Sequence, residues 1–259
     1  MTSPLLEGKK GIILGVANKR SIAWAITQAA AAAGARIALT YQGPRLEENV
    51  RKLAENLDDP VVLPCDVSED QQVEDCFRRL GEEMGSIDFL VHCIAFANRE
   101  DLAGEFLDTS REGYRIAQEV SSYSLTLLAR AAAPLLEKDG GGSIVALTYL
   151  GSERVVPHYN VMGVAKAALE SSIRYLASDL GKRDIRVNGI SAGPISTLSA
   201  RGISGFTKVL EVVRDKAPLH RNTDPAEVAD TALFLLSRMS RGITGEILFV
   251  DGGFHIMGM

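Results

Sequence analysis

A tyrosine and a lysine stand seven positions apart, Tyr159 and Lys166, in the segment PHYNVMGVAKAALESSIRYLASDL. At 100° per residue, seven steps turn through about 700°, roughly 20° short of two turns, so on a helix both side chains share one face. They can then reach one ligand together. An ammonium beside a phenol favours the phenolate and lowers the phenol's pKa, which suits proton donation or oxyanion stabilisation near neutral pH. Such pairs also decorate solvated helices, and spacing alone leaves both readings open.

A second set of residues has the character of a phosphate and nucleoside site. GIILGVANKRSIA runs from a β-branched stretch into Gly15 and then, through Ser21 and Ile22, into an alanine-rich helix. A strand, a glycine turn and a helix start aim backbone N–H groups and the helix dipole at an anion such as a pyrophosphate. The usual glycine triplet is absent, so an ordinary strand-to-helix turn stays open here. After the next strand comes Tyr41-Gln42-Gly43-Pro44, where Gln42 can bond a ribose hydroxyl and positions 42 and 43 lack a base for a 2′-phosphate. NADH is therefore expected over NADPH, although Arg20 and Arg45 lie near in sequence. Asp66 can accept from an adenine amino group and Val67 can pack on its ring.

The elements that must position these groups are legible as β-branched runs at 11–17, 36–41, 61–67, 89–96, 143–150, 186–193 and 246–253, separated by helix-like stretches. Most runs are apolar on both faces, as in parallel strands covered front and back. The expected fold is a single-domain α/β, Rossmann-like, doubly wound parallel sheet of about seven strands spanning 1–259, with helices on both faces. Ser68 with Glu69 and Asp70 reads as a helix start. Between the last two strands, GPISTLSARGISGFTKVLEVVRDKAPLHRN is a long excursion, and long excursions in compact folds are usually functional.

A net charge of −5 gives no reason to expect nucleic acid. Cys65, Cys76 and Cys93 form no CxxC and cannot all pair, which points to a reducing compartment. No apolar run reaches a membrane span and MTSPLLEGKK has no signal-peptide core, so a cytoplasmic protein, or one of the plastid stroma, is expected. His92 and His158 have no ligand spacing and no metal is expected; His220 and His255 read as surface or interface groups, and Cys93 as an inert buried thiol.

The glycine turn, the tyrosine-lysine helix after the fifth strand, Asn188-Gly189-Ile190-Ser191-Ala192-Gly193-Pro194 and Val250-Asp251-Gly252-Gly253 together resemble the short-chain dehydrogenase/reductase superfamily over nearly the whole chain. Ordinary members carry Tyr-x3-Lys with a serine 13 residues earlier. Here those places hold Met162 and Tyr149. The Tyr-x6-Lys spacing, Tyr149, Gly15-x5-Ser21-x-Ala23, His92-Cys93-Ile94-Ala95-Phe96-Ala97 and Gly193-Pro194-Ile195-Ser196-Thr197-Leu198 resemble the NADH-dependent enoyl-acyl-carrier-protein reductases of fatty-acid synthesis. Trp24-Ala25 and Ala95 depart from the commoner aromatic-glycine and glycine.

The resemblance implies that Tyr159 meets the substrate carbonyl, that Lys166 holds the nicotinamide ribose, and that Tyr149 helps line the acyl pocket. It implies dinucleotide contacts from Ser21, Ile22, Gln42, Asp66, Val67, Ile94, Ile195 and Thr197, beside Gly15. Ala97, Met162, Ile203 and Phe206 join the two tyrosines as expected substrate contacts. Residues 197–216 read as a lid, with Ile203, Phe206 and Leu210 spaced to cover an acyl chain. The partner implied is an acyl-carrier protein, which is acidic, and Arg201, Lys208, Arg214 and Lys216 are the candidate basic patch. A homotetramer is usual for the family. The competing expectations are a carbonyl-reducing short-chain dehydrogenase, whose tyrosine place holds Met162, and a silent dinucleotide-binding regulator.

Overall fold

The computed structural model describes residues 4–197 and 205–258. Seven parallel strands form one sheet: β1 (Lys10–Leu14), β2 (Arg36–Tyr41), β3 (Val61–Pro64), β4 (Phe89–His92), β5 (Gly142–Thr148), β6 (Ile185–Ala192) and β7 (Ile247–Val250). Their order is β3-β2-β1-β4-β5-β6-β7. The register brings Gly11 opposite Ile37 on one side and Phe89 on the other. The direction of winding reverses between β1 and β4, and in open parallel sheets ligands bind outside the carboxyl ends of the strands at such a reversal.

The helices are α1 (Ile22–Ala32), α2 (Pro44–Ala54), α3 (Asp70–Met84), α4 (Arg111–Gln118), α5 (Ser124–Glu137), α6 (Asn160–Leu180), α7 (Phe206–Lys216) and α8 (Pro225–Leu236). Alternation along the strands divides the core in two. Ile12 and Leu14 pack with α3, α5 and α6. Ile13, Leu39 and Val91 pack with α1, α2 and α8. Among the described residues no helix is long and apolar enough to cross a membrane.

All seven strands lie where the sequence puts them, but most end sooner. The run at 11–17 pairs only as far as Leu14, 61–67 as far as Pro64, and 89–96 as far as His92. Val16, Cys65 and Val67 stay buried after leaving the ladder, whereas Ala95 and Phe96 are exposed. Those overshoots are the loops that build the site. At α3 the cap differs from expectation: Glu69 occupies the cap position without a side-chain bond, and the Ser68 hydroxyl donates to Asp66 Oδ1 at 2.7 Å.

Candidate active site

A cavity of about 520 Å³ opens at the carboxyl ends of β1, β4, β5 and β6. Gly15, Ser21 and Ile22 line it from the first strand-to-helix unit, Ile94 and Ala97 from the loop after β4, and Tyr149 from the end of β5. Tyr159, Met162 and Lys166 come from the start of α6, Ile195 and Thr197 from the loop after β6, and Phe206 from α7. Twelve expected residues thus meet in one space. Gln42, Asp66 and Val67 lie outside this cavity, at the ends of β2 and β3, and Ile203 lies outside the described residues, as do Leu198 and Arg201.

Gly15 has φ +96°, and a Cβ there would fall 2.1 Å from the carbonyl oxygen of Cys93. Only glycine lets the turn after β1 pass this close to the loop after β4. Ser21 caps α1 by accepting from the Trp24 N–H at 3.3 Å, which leaves the first helical N–H groups facing the cavity. With Asn18 also on the wall, this end supplies uncharged donors and a positive helix terminus, a set that fits a pyrophosphate.

Tyr159 is the residue before α6 rather than a member of it, with φ −110° and ψ −23°. Its neighbours His158 and Asn160 both have positive φ, 62° and 28°. Two non-glycine residues in the left-handed region on either side of one phenol mark a turn held by its surroundings. Asn160 Nδ2 helps by donating to Gly104 O at 3.2 Å. The ring packs edge-on against Tyr149, with centroids 5.0 Å apart and planes at 75°. Gly151 leaves room for it, since a Cβ there would lie 2.5 Å from the Tyr159 ring.

Lys166 is 5 % exposed, and its Nζ donates to the Leu147 carbonyl at 2.7 Å. One bond leaves two of the ammonium protons for a ligand. Burial pulls its pKa down to about 8, against smaller upward pulls from Cys93 and Glu170. Tyr159 moves the other way: burial first, then Tyr149 and Glu170, push its phenol well above the ordinary range. This corrects the expectation that Lys166 depresses the phenol, because desolvation of the anion outweighs the distant ammonium. At neutral pH Tyr159 is a neutral hydrogen-bond donor. Tyr149 is likewise pushed up to about 12, by burial and then Asp251.

The wall formed by Ile94 to Ala97 is held from behind by a residue that composition and periodicity do not single out. Between α4 and α5 the chain widens into a π-helical turn, Glu119–Tyr123. There the Ser121 hydroxyl accepts from the Phe96 N–H at 2.9 Å and donates to the Phe96 carbonyl at 3.0 Å. One residue of extra winding puts a serine where a regular helix would turn it away. Ser121→Ala removes both bonds from a fully buried site and is expected to lower stability by about 1–3 kcal/mol in urea melts. His92, also fully buried, bonds Ser124 Oγ through Nε2 at 2.8 Å.

At the nucleoside end Gln42 Nε2 donates to Asp66 Oδ2 at 3.1 Å. Burial raises the Asp66 pKa, but the bonds from Ser68 and Gln42 outweigh it and hold the carboxyl below its usual range. Val67 is 6 % exposed and belongs to the core. On α7, Phe206 and Val209 line the cavity, while Leu210 does not. Lys208 is exposed and Arg214 pairs with Asp215 at 2.9 Å. His255, expected at the surface, leans on buried Asp251 through Nδ1 at 3.0 Å and stacks on Phe249. Arg99, Phe96, Leu147 and Thr148 also line the cavity without having been anticipated.

A family model described as enoyl-(acyl carrier protein) reductase matches residues 15–255. The chain is 58 % identical, over 97 % of each sequence, to a protein of Bacillus subtilis named enoyl-[acyl-carrier-protein] reductase [NADH] FabI. A crystal structure of the Bacillus cereus enoyl-acyl carrier protein reductase, with NADP+ and indole naphthyridinone, superposes with a TM-score of 0.96 at 54 % identity, covering 98 % of this chain and 99 % of that one. The corresponding reductase of Anaplasma phagocytophilum, solved with NAD, gives 0.95 at 50 % identity, covering 100 % and 98 %.

Proposed function

We infer that this chain, which belongs to the enoyl-(acyl carrier protein) reductase family, reduces the C2=C3 double bond of trans-2-enoyl thioesters borne by an acyl-carrier protein, with NADH as the hydride donor. It is an enzyme of fatty-acid biosynthesis. The observation that carries the reading is the meeting of Tyr159, Tyr149 and Lys166 with the Gly15–Ser21 turn in one cavity, with Met162 in the place of a carbonyl reductase's tyrosine.

NADH, when bound, would supply the hydride for C3; the negative charge that collects on the thioester oxygen is discharged when C2 takes up a proton that comes ultimately from solvent. Tyr159, neutral and fixed by the strained turn, donates a hydrogen bond to that oxygen as the charge grows. The phenol sits ahead of its ordinary place because the attacked carbon lies two atoms along the conjugated chain from the carbonyl. Lys166 turns its spare protons toward the ribose hydroxyls of the dinucleotide. Tyr149 packs the phenol, and Met162, Ala97 and Phe206 cover the acyl chain and exclude water. Ile94, Ile195 and Thr197 would flank the nicotinamide side, and Gln42 and Asp66 would serve the adenosine, with Val67 packed in the core behind them.

Loss of NADH absorbance with a crotonyl thioester tests the function, and no turnover with any enoyl thioester would refute it. Cofactor choice follows from charge. Gln42 and Gly43 bring no cation, and the ionised Asp66 beside Gln42 repels the extra charges of a 2′-phosphate. NADH is expected to exceed NADPH in kcat/KM by about 10-fold or more, equivalent to about 1.4 kcal/mol. Gln42→Arg is expected to narrow or invert that ratio; equal use of both by the wild type would contradict the assignment.

Lys208, Arg214 and Lys216 on α7 form the surface offered to the acidic carrier; of the expected lid at 197–216, residues 198–204 lie outside the described residues, and Phe206 and Val209 on α7 line the cavity. Exposed Leu107, Val155 and Tyr175 are apolar side chains suited to the subunit contacts of a homotetramer.

A further inference from the structure

Two hydrogen bonds staple the end of β5 to α6 beneath the cavity. Lys166 Nζ donates to the Leu147 carbonyl at 2.7 Å, and Thr148 Oγ1 donates to Glu170 Oε1 at 2.6 Å. The next residue along is Tyr149, whose ring meets Tyr159. Glu170 follows Lys166 by one helical turn, and each is 5 % exposed. A carboxylate this buried is costly unless it is bonded and balanced.

The groups facing Lys166 come from three elements. From β4 and its loop come His92, pushed down to about 3 by burial and then by the Lys166 charge, and Cys93, pushed up to about 12 by burial. Both are neutral near pH 7. Tyr149 and Tyr159, bracketing the turn between β5 and α6, are neutral for the same reason, and Asp251 bears on Tyr149. From α6 itself comes Glu170, which raises both Lys166 and Tyr159.

Resting on the dinucleotide reading of this cavity, we propose that Glu170 is a positioning residue for the reductase: it is the buried counter-charge of Lys166 and, through Thr148, the anchor that seats Tyr149 against Tyr159. The two roles separate by substitution. Glu170→Gln keeps an oxygen for the Thr148 hydroxyl and removes the charge. Thr148→Val removes the bond and keeps the charge.

NADH binding, followed by fluorescence from about pH 6 to pH 9.5, reads the first role. In the wild type, binding weakens as pH rises through the Lys166 pKa of about 8 and the ammonium is lost. Glu170→Gln should move this alkaline limb to lower pH, so that affinity is unchanged near pH 6 and weaker than wild type near pH 8. Thr148→Val should move the limb less than Glu170→Gln does and lower kcat for a crotonyl thioester. A limb in Glu170→Gln that superimposes on the wild type overturns the proposal, as does a limb moved equally by Thr148→Val. Should circular dichroism show the Gln variant unfolded, Glu170→Asp decides: the shorter carboxylate keeps the limb within about 0.3 unit of wild type, and displacement by a full unit overturns the proposal. A wild type that binds no NADH at any pH overturns the reading of the cavity itself, and this inference with it.

Discussion

Tyr159→Phe is expected to lower kcat by about 10²- to 10³-fold while NADH affinity stays within about twofold of the wild type. The phenyl ring keeps the packing against Tyr149 and over Gly151 and loses only the hydroxyl. A donor aimed at a developing oxyanion is worth about 3–4 kcal/mol where water is excluded, and none of that is spent on the ground state. Because burial pushes the phenol upward, its ionisation contributes no alkaline limb to kcat between about pH 6 and pH 9. Steady-state rates and NADH titrations of the same preparation check both halves. Equal loss of NADH binding in Tyr159→Phe and in a Lys166 variant would remove the division of labour between the two residues.

Lys166→Met should do the opposite: abolish measurable NADH binding, and change ligand-free stability through two opposed effects, relief of the desolvated ammonium and loss of the charge that balances buried Glu170. The lysine's pKa falls from 10.5 in the open chain to about 8 when buried. Below about pH 8 both states hold the proton, and the folded state carries a desolvated ammonium at its full cost. Between about 8 and 10.5 the unfolded chain binds one proton more than the folded one, so stability rises with pH across that window. The stability of the Met variant relative to wild type should therefore fall by about 3 kcal/mol between about pH 8 and pH 10.5. Urea melts at several pH values measure it. A variant less stable than the wild type at every pH would show that the bond to Leu147 outweighs the buried charge. A residue held at this cost is one selected for what it binds.

The strands were readable because a parallel sheet covered on both faces forces long apolar runs at regular intervals, and all seven stand where those runs are. Their carboxyl ends were not readable. Cys93 to Phe96 are as apolar as the strand they follow, and only pairing distinguishes the ladder from the loop. Tyr159 and Lys166 were visible as a spacing, which assumed a helix through both. In the structure α6 starts one residue later, and the phenol is aimed by two positive-φ neighbours instead.

Residue type and order alone carried the alternating architecture, the glycine after β1, the displaced tyrosine and the absence of a cation at positions 42 and 43. Each follows from local rules of periodicity, steric freedom and charge that act over a few positions. The protonation of Tyr159 and Lys166, the Ser121 clamp on Phe96 and the Glu170–Thr148 bond emerged on folding. Those depend on which groups are desolvated together across 20 or more positions of chain, as the 22-residue separation of Thr148 from Glu170 and the 25-residue separation of Phe96 from Ser121 illustrate. Burial and the proximity of distant segments have no local signature to read.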